Sequence, residues 1–373
     1  MSLTWQQVAA WRLRRHHLHE RAPRTSMLEV AGTLCGLHAQ LMSSAELTLW
    51  ARVKDLGAGD VASALWEERS LFKTWAMRGT LHLLPSAEYA MWQAGWSTYD
   101  HYLKPGWFKY FGMTTDEFEQ MVEAVGKSLD SEMLTREQLA ARVSETTGSP
   151  ALGEKMRGSW GALLKPASFQ GKLCFAPNLG RNVRFTLPRS WLAEQSAIDS
   201  QEALAAITKR FLEANGPATR DDYGRWWAIS PAQALRRIKM LGDEAVEVEV
   251  GGSPMWMLAE HVEEAGSAAT TSAVNLLPAF DQYVIAATRH VEHLLPGPFK
   301  PRIYRPQGWI SPVLLVNGRM DGVWQFEKKG NRLVVSVEPF VKLSGGVKER
   351  VGREAESLAQ FHSAGDVRVE FAS

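Results

Sequence analysis

Very little in this chain invites metal, redox or membrane chemistry. Of its 373 residues only Cys35 and Cys174 are cysteines. Each stands alone in apolar surroundings, which argues against a disulfide framework and fits buried, reduced thiols of a cytoplasmic protein. No CxxC, HExxH or glycine-rich phosphate loop occurs, so no metal site and no cofactor is expected. No apolar run reaches the roughly 18 residues needed to cross a bilayer, and Met1-Ser2-Leu3-Thr4-Trp5 has no apolar export core. Charge of one sign is also missing. Forty-two basic residues face 41 acidic ones, a net of +1, which disfavours a nucleic-acid-binding module unless the charge is segregated.

Some of it is segregated. Arg12, Arg14, Arg15, His16, His17 and His19 crowd one segment, and acids gather over Glu244–Glu264. Such a basic run serves equally as a solvated helix face or a phosphate-facing one. With 45% hydrophobic and 22% charged residues, the chain reads as a folded globular protein long enough for two or three domains. Fifteen tryptophans are more than such a core ordinarily needs, and any left exposed would suit stacking on bases.

One unit recurs three times: short amphipathic helices, then two β-rich runs joined by a tight turn. The hairpins fall at Leu71–Leu84, Lys172–Leu187 and Val246–Leu258. Helix starts punctuate each unit. Thr4 is a plausible N-cap, Thr25 or Ser26 another, Asp60 a third; Thr135 and Gln138 form a capping box, and Ser230-Pro231 places proline at a first helical position. Helices followed by a β-hairpin form the winged-helix pattern, a variant of helix-turn-helix. From Asn275 the composition turns β-rich. Asn317-Gly318 between Trp309–Val316 and Arg319–Lys328 predicts a type I′ hairpin, and Lys328-Lys329-Gly330-Asn331 leads into Arg332–Val337. A helix over Val347–Phe361 and a strand over Val367–Phe371 close the chain. The expected fold is α+β: three tandem winged-helix units over residues 1–110, 111–195 and 196–272, followed by a C-terminal β-barrel over 273–373.

Four stretches carry a family resemblance. They are Leu34-Cys35-Gly36-Leu37-His38-Ala39-Gln40 with Leu49-Trp50-Ala51-Arg52; Thr74-Trp75-Ala76-Met77-Arg78-Gly79-Thr80-Leu81-His82; Trp160-Gly161-Ala162-Leu163-Leu164-Lys165-Pro166; and Gly308-Trp309-Ile310-Ser311-Pro312-Val313. In this order, over nearly the whole chain, they resemble the winged-helix DNA glycosylases of the AlkZ/YcaQ type. The resemblance implies a C-shaped DNA-binding channel and excision of N7-alkylated purines, including bulky genotoxin adducts and interstrand crosslinks. The family's catalytic motif, Gln, an apolar residue, then Gln or Asp, falls on His38, Ala39 and Gln40, with histidine replacing the first glutamine.

The spacing has its own logic. On a helix, residues two apart diverge by roughly 200°, so His38 and Gln40 cannot face one substrate there. In an extended stretch they share a face and Ala39 turns to the core, so the motif belongs at a helix end, just before Ser43-Ser44. Alkylation at N7 already makes the purine a good leaving group. Gln40 holding a water and His38 accepting its proton then suffice. No lysine adjoins the motif, which predicts a monofunctional glycosylase. Arg78, Lys165, Arg181, Arg184, Arg319, Lys328 and Lys329, at helix ends and hairpin tips, are candidate phosphate contacts. The Asn317-Gly318 hairpin is either a candidate for reaching into the minor groove or an ordinary hairpin of the barrel. His82 is expected to pack within its hairpin.

The function expected is therefore hydrolysis of the N-glycosidic bond of N7-alkylpurines, with antibiotic self-resistance a specialisation motivated by His38. The expected partner is double-stranded DNA carrying alkylated purines. A monomer with no membrane association, cytoplasmic and near the bacterial nucleoid, is expected. The rival readings are a non-enzymatic winged-helix regulator and a lesion sensor that binds without cutting.

Overall fold

A computed structural model describes residues 1–269, 272–287 and 292–372. The chain folds as two compact units, Met1–Asp60 with Thr208–Ser373 in one and Val61–Ile207 in the other.

In the first unit the helix Trp5–Arg15 starts at Thr4, whose hydroxyl accepts from Gln7 N while the Gln7 side chain reaches back to the Thr4 amide. Such reciprocal capping satisfies two otherwise orphaned donors. Val8 and Trp11 from this helix are buried with Leu3, Val248, Val250, Met255 and Met257. The hairpin expected at Val246–Leu258 is formed by strands Ala245–Val250 and Ser253–Leu258, and Ser2–Leu3 adds a parallel edge strand to it. Thr219 with Asp222, and Ser230 with Gln233, form two more capping boxes ahead of helices Arg220–Trp227 and Pro231–Lys239. Ser26 precedes helix Met27–Thr33, but its side chain makes no cap bond.

The same unit holds a five-stranded sheet in the order Val274–Leu277, Val313–Val316, Arg319–Lys329, Arg332–Pro339, Asp366–Phe371. The first four strands run antiparallel in sequence and the last joins in parallel. That reversal requires a crossover, supplied by the helix Gly345–Phe361, which packs on both outer strands. The barrel expected here is not closed: Val274–Leu277 and Asp366–Phe371 are the two edges of an open sheet. One helix laid across one face covers the sheet, so closure is not required to bury it.

The second unit contains the hairpin Leu71–Trp75 with Leu81–Pro85, and the hairpin Cys174–Leu179 with Asn182–Thr186, to which Leu134–Thr135 adds an edge. The expected capping box of Thr135 and Gln138 starts helix Arg136–Thr147. The helix expected over Leu152–Leu164 is instead broken. It ends at Gly158, because Trp160 (φ 53°) and Gly161 (φ 90°) both adopt left-handed backbone, and a short turn Ala162–Leu164 follows. A Cβ at Gly161 would come within 3.1 Å of the Trp75 ring, so glycine is needed here for space as well as for φ.

A candidate DNA glycosylase site

Helix Met27–Thr33 stops because Cys35 (φ 59°) and Gly36 (φ 86°) turn the chain through left-handed backbone. The chain emerges extended through Leu37–His38 and becomes helical again only at Met42–Trp50, of which Ser43 and Ser44 are already part. The motif thus starts on extended backbone at His38 and reaches Gln40 at a bend, between two helices. Ala39 is wholly buried and Gln40 is exposed. His38 departs from the expectation of a face shared with Gln40 and is only 5% exposed. The reason is a ring stacked on it: Phe280, with centroids 4.6 Å apart and planes within 16°.

Phe280 itself sits in left-handed backbone (φ 59°), a conformation that an aromatic residue keeps only when its surroundings impose it. The neighbouring Asp281 provides the constraint. Its carboxylate accepts two hydrogen bonds from Arg52, Nη1 to Oδ2 and Nη2 to Oδ1, both 2.7 Å, and both side chains are wholly buried. Oδ1 also accepts from Tyr283 N at 2.9 Å, capping the short helix Gln282–Ala286. Arg52 Nη1 donates in addition to Thr48 O at 2.9 Å. A buried pair of this kind is stable only when paired and hydrogen-bonded on both sides. It ties the helix Met42–Trp50 that follows the motif to the segment that covers His38. On its other side Phe280 meets Trp309 edge-on, at 5.0 Å and 73°, and Trp309 is 41% exposed.

Behind this lies a buried polar cluster. Arg12 is buried and donates to Pro217 O at 2.5 Å. His16 is 1% exposed, edge-on to Tyr283, and burial first, then Arg52 and Arg12, hold its imidazole well below the ordinary value. Burial pushes the Tyr283 phenol up to about 12. Two members of the N-terminal basic run are thus interior residues and not a face for phosphate. On the helix after the motif, the half-buried Glu46 has its carboxyl raised by burial.

The candidate DNA contacts divide. In the second unit Arg78 (φ 59°) sits in the turn Met77–Gly79, and Lys165 lies alongside it, its Nζ 3.4 Å from where a Cβ on Gly79 would be. Burial lowers the Lys165 amine. Arg136 Nη2 lies 3.8 Å from the Cβ position of Gly161, whose neighbour Trp160 is 89% exposed. Lys165 thus lies beside the Arg78 turn, and Arg136 beside the turn that carries the projecting Trp160 indole. Arg181 is exposed at its hairpin tip, whereas Arg184 Nε is held by Pro177 O at 2.7 Å. In the first unit Arg319 is paired with Asp321 at 2.6 Å and Lys328 donates to His362 O at 2.5 Å. Arg319 and Lys328 stand nine residues apart on one strand, roughly 30 Å, so they form no single patch. Lys329 is exposed and bridges Glu327 at 2.9 Å.

The type I′ turn is present, with Asn317 at φ 52° and Gly318 at φ 83°, but its tip is not free to enter a groove. Gly318 O accepts from Tyr283 Oη at 3.0 Å, and a Cβ on Gly318 would lie 2.7 Å from that of Ala9. The tip is docked on helix Trp5–Arg15. The exposed tip is the next one, around Gly330. His82 is wholly buried in its hairpin.

Sequence reasoning missed Phe280, Asp281 and Lys73. The only signal for Asp281 was an acid at the end of the apolar run Val274–Phe280. Lys73 gave none: it points at the Phe175 ring, 5.6 Å from its centroid, and burial draws its amine down to about 8.

An α+β chain of this layout, with the motif at His38 to Gln40 set between two helices, belongs to a recognisable class of enzyme. A model of the DNA glycosylase AlkZ-like family matches residues 31–361, and the chain belongs to that family, whose members are hydrolases of N-glycosyl bonds in DNA. An interstrand DNA cross-link repair glycosylase from Streptomyces sahachiroi is 35% identical over 367 residues, covering 96% of this chain and 97% of that protein. The solved structure of Streptomyces sahachiroi DNA glycosylase AlkZ superposes with a TM-score of 0.91 at 34% identity, covering all of both chains. Among the described residues no helix is long and apolar enough to cross a membrane.

Proposed function

We propose that this enzyme removes N7-alkylated purines from double-stranded DNA, bulky adducts and interstrand crosslinks included, through His38 and Gln40. The observation that supports the reading is the motif between two helices, with Gln40 open to solvent two residues from a packed His38. A water held by the Gln40 carbonyl attacks C1′ of the modified nucleotide. The glycosidic electron pair leaves with the purine, cancelling the positive charge that alkylation placed on it. His38 takes the proton lost by the water, and the product is a hydroxylated abasic sugar. Stacking on Phe280 fixes the imidazole plane, so the proton acceptor is oriented before substrate arrives.

Three helix–hairpin groups, at 1–110, 111–195 and 196–272, read as winged helices presenting the candidate contacts, with 273–373 as the C-terminal domain. Arg78, Lys165 and Arg136 suit phosphate contacts, and the exposed Trp160 indole suits stacking or wedging against a base. The protein acts as a cytoplasmic monomer at the bacterial nucleoid. The relative's role in crosslink repair and the histidine at position 38 support self-resistance to a DNA-alkylating antibiotic.

The test is a duplex carrying one N7-alkylguanine, incubated with the protein and sized with and without hot alkali. Strand scission that depends on the adduct, the enzyme and the alkali is expected. Tight adduct binding with no abasic site would establish a sensor, and scission without alkali would establish a lyase.

A further inference from the structure

The helix Met42–Trp50 that follows the motif is closed on nearly every side: Ser44, Ala45, Leu47, Thr48, Leu49 and Trp50 are all buried. What stays open is Ser43, exposed, with Met42 and Glu46, half-buried. At 100° per residue Glu46 projects between Met42 and Ser43, one turn further on. Beyond it the same stripe closes at Leu49 and Trp50. The opening therefore lies at the end where Gln40 and Leu41, both exposed, lead into the helix. Side chains on a helix lean toward its N-terminus, so the Glu46 carboxylate leans back toward Gln40. The rise from Met42 to Glu46 is only about 6 Å.

A carboxylate in this place works against the protein unless something offsets it. Among the described residues it makes no hydrogen bond and no ion pair, and burial raises it with no cation to oppose the shift. Glu46 lies past the first turn of its helix, where the favourable dipole has faded. Duplex phosphates repel it. The missing counter-charge is one that arrives with the substrate, and the hydrolysis proposed above generates it: as the purine departs, positive charge builds on C1′ and O4′ of the sugar. The alkylated purine is cationic as well, but a carboxylate held on it would stabilise the ground state and oppose departure. We infer that Glu46 is a catalytic carboxylate that faces the sugar and stabilises its developing charge. This rests on the proposed hydrolysis and adds a third group to its site. The purine leaves with the glycosidic pair, the water held by Gln40 bonds to C1′, its proton passes to His38, and Glu46 stays ionised throughout.

The experiment follows single-turnover base release against enzyme concentration, which gives the affinity and the maximal rate separately. The proteins are wild type, Glu46→Gln and Glu46→Lys, each with its melting temperature. The substrates are two duplexes, one carrying N7-methylguanine and one N7-benzylguanine. The maximal rate is expected to fall about 10- to 100-fold in Glu46→Gln, less than for a fully enclosed group because the site is half-open, and further in Glu46→Lys. Both variants should bind at least as tightly as wild type, because a charge that repels phosphate is gone. A merely structural role cannot move rate and affinity in opposite directions. Maximal rates at the wild-type level in both variants, or a slower rate accompanied by weaker binding and a lower melting temperature, overturn the carboxylate and leave the function standing. Weaker binding at an unchanged rate places Glu46 on the cationic purine and overturns it too. A wild type that releases neither base overturns the function, and the role of Glu46 with it.

Discussion

At the scale of single residues, the proposed site centres on a histidine packed tightly by its neighbours. His38 is held by Phe280, and Phe280 holds its left-handed backbone because Asp281 is clamped by Arg52. Removing one member of a buried pair leaves the other charge without a partner, so Asp281→Ala should cost about 3–5 kcal/mol in urea-induced unfolding. The double variant Arg52→Met/Asp281→Leu, which removes both charges, should recover much of that. If the single variant costs no more than the double, the pair is not what fixes this segment. His16 supplies a pH signature. Its native value is held well below the ordinary 6.5 by burial and by two arginines. Above 6.5 both folded and unfolded chains carry it neutral, and its contribution is fully present. As pH falls below 6.5 the unfolded chain takes a proton that the native one refuses, so stability drops until the native value is passed. Urea midpoints between pH 7.5 and 5.5 should therefore decline less steeply in His16→Gln than in wild type, and parallel declines would remove His16 from that account.

At the scale of elements, periodicity and capping were readable because they are local. Thr4, Thr135 and Ser230 cap helices where their side chains predict it, and three hairpins lie where alternation and turn residues place them. The failures are tertiary. The helix pattern through Leu152–Leu164 yields at Trp160-Gly161 because Trp75 occupies the space a side chain would need. The Asn317-Gly318 pair announces a turn, but nothing local decides between a reach into the minor groove and an ordinary packed hairpin; Ala9 and Tyr283 closing on the tip decide it for the packed one. That packing has a consequence. Gly318→Ala combines a positive φ with a 2.7 Å contact, and should lower stability by roughly 1–3 kcal/mol. Gly330→Ala, at the exposed tip with nothing within 4 Å, should cost less, its penalty being conformational alone. Equal losses in thermal melts would mean that the first tip is as free as the second.

At the scale of the whole molecule, the net charge of +1 looked unsuited to DNA, and the structure shows how little that sum reveals. Arg12, His16 and Arg52 are interior, and many surface acids and bases cancel in pairs. What remains is local, such as Lys165 beside the Arg78 turn and Arg136 beside Gly161. The family was legible through motifs spread over the chain, and His38 and Gln40 entered as candidates through the resemblance those motifs carry. Phe280 and Asp281 were not legible, because they come from a segment more than 200 residues away from the motif. No sequence pattern states that a strand end and a distant loop will share one ring stack.

The central claim is that His38 and Gln40 carry the hydrolysis. Its most direct measurement is single-turnover release of an N7-alkylguanine by wild type, His38→Ala and Gln40→Ala, each variant shown by its melting temperature to be folded. Loss of a positioned proton acceptor predicts a fall of about 10²–10⁴-fold for His38→Ala, with a large fall for Gln40→Ala and adduct binding retained. Base release at the wild-type rate by both variants would place the chemistry elsewhere in the chain.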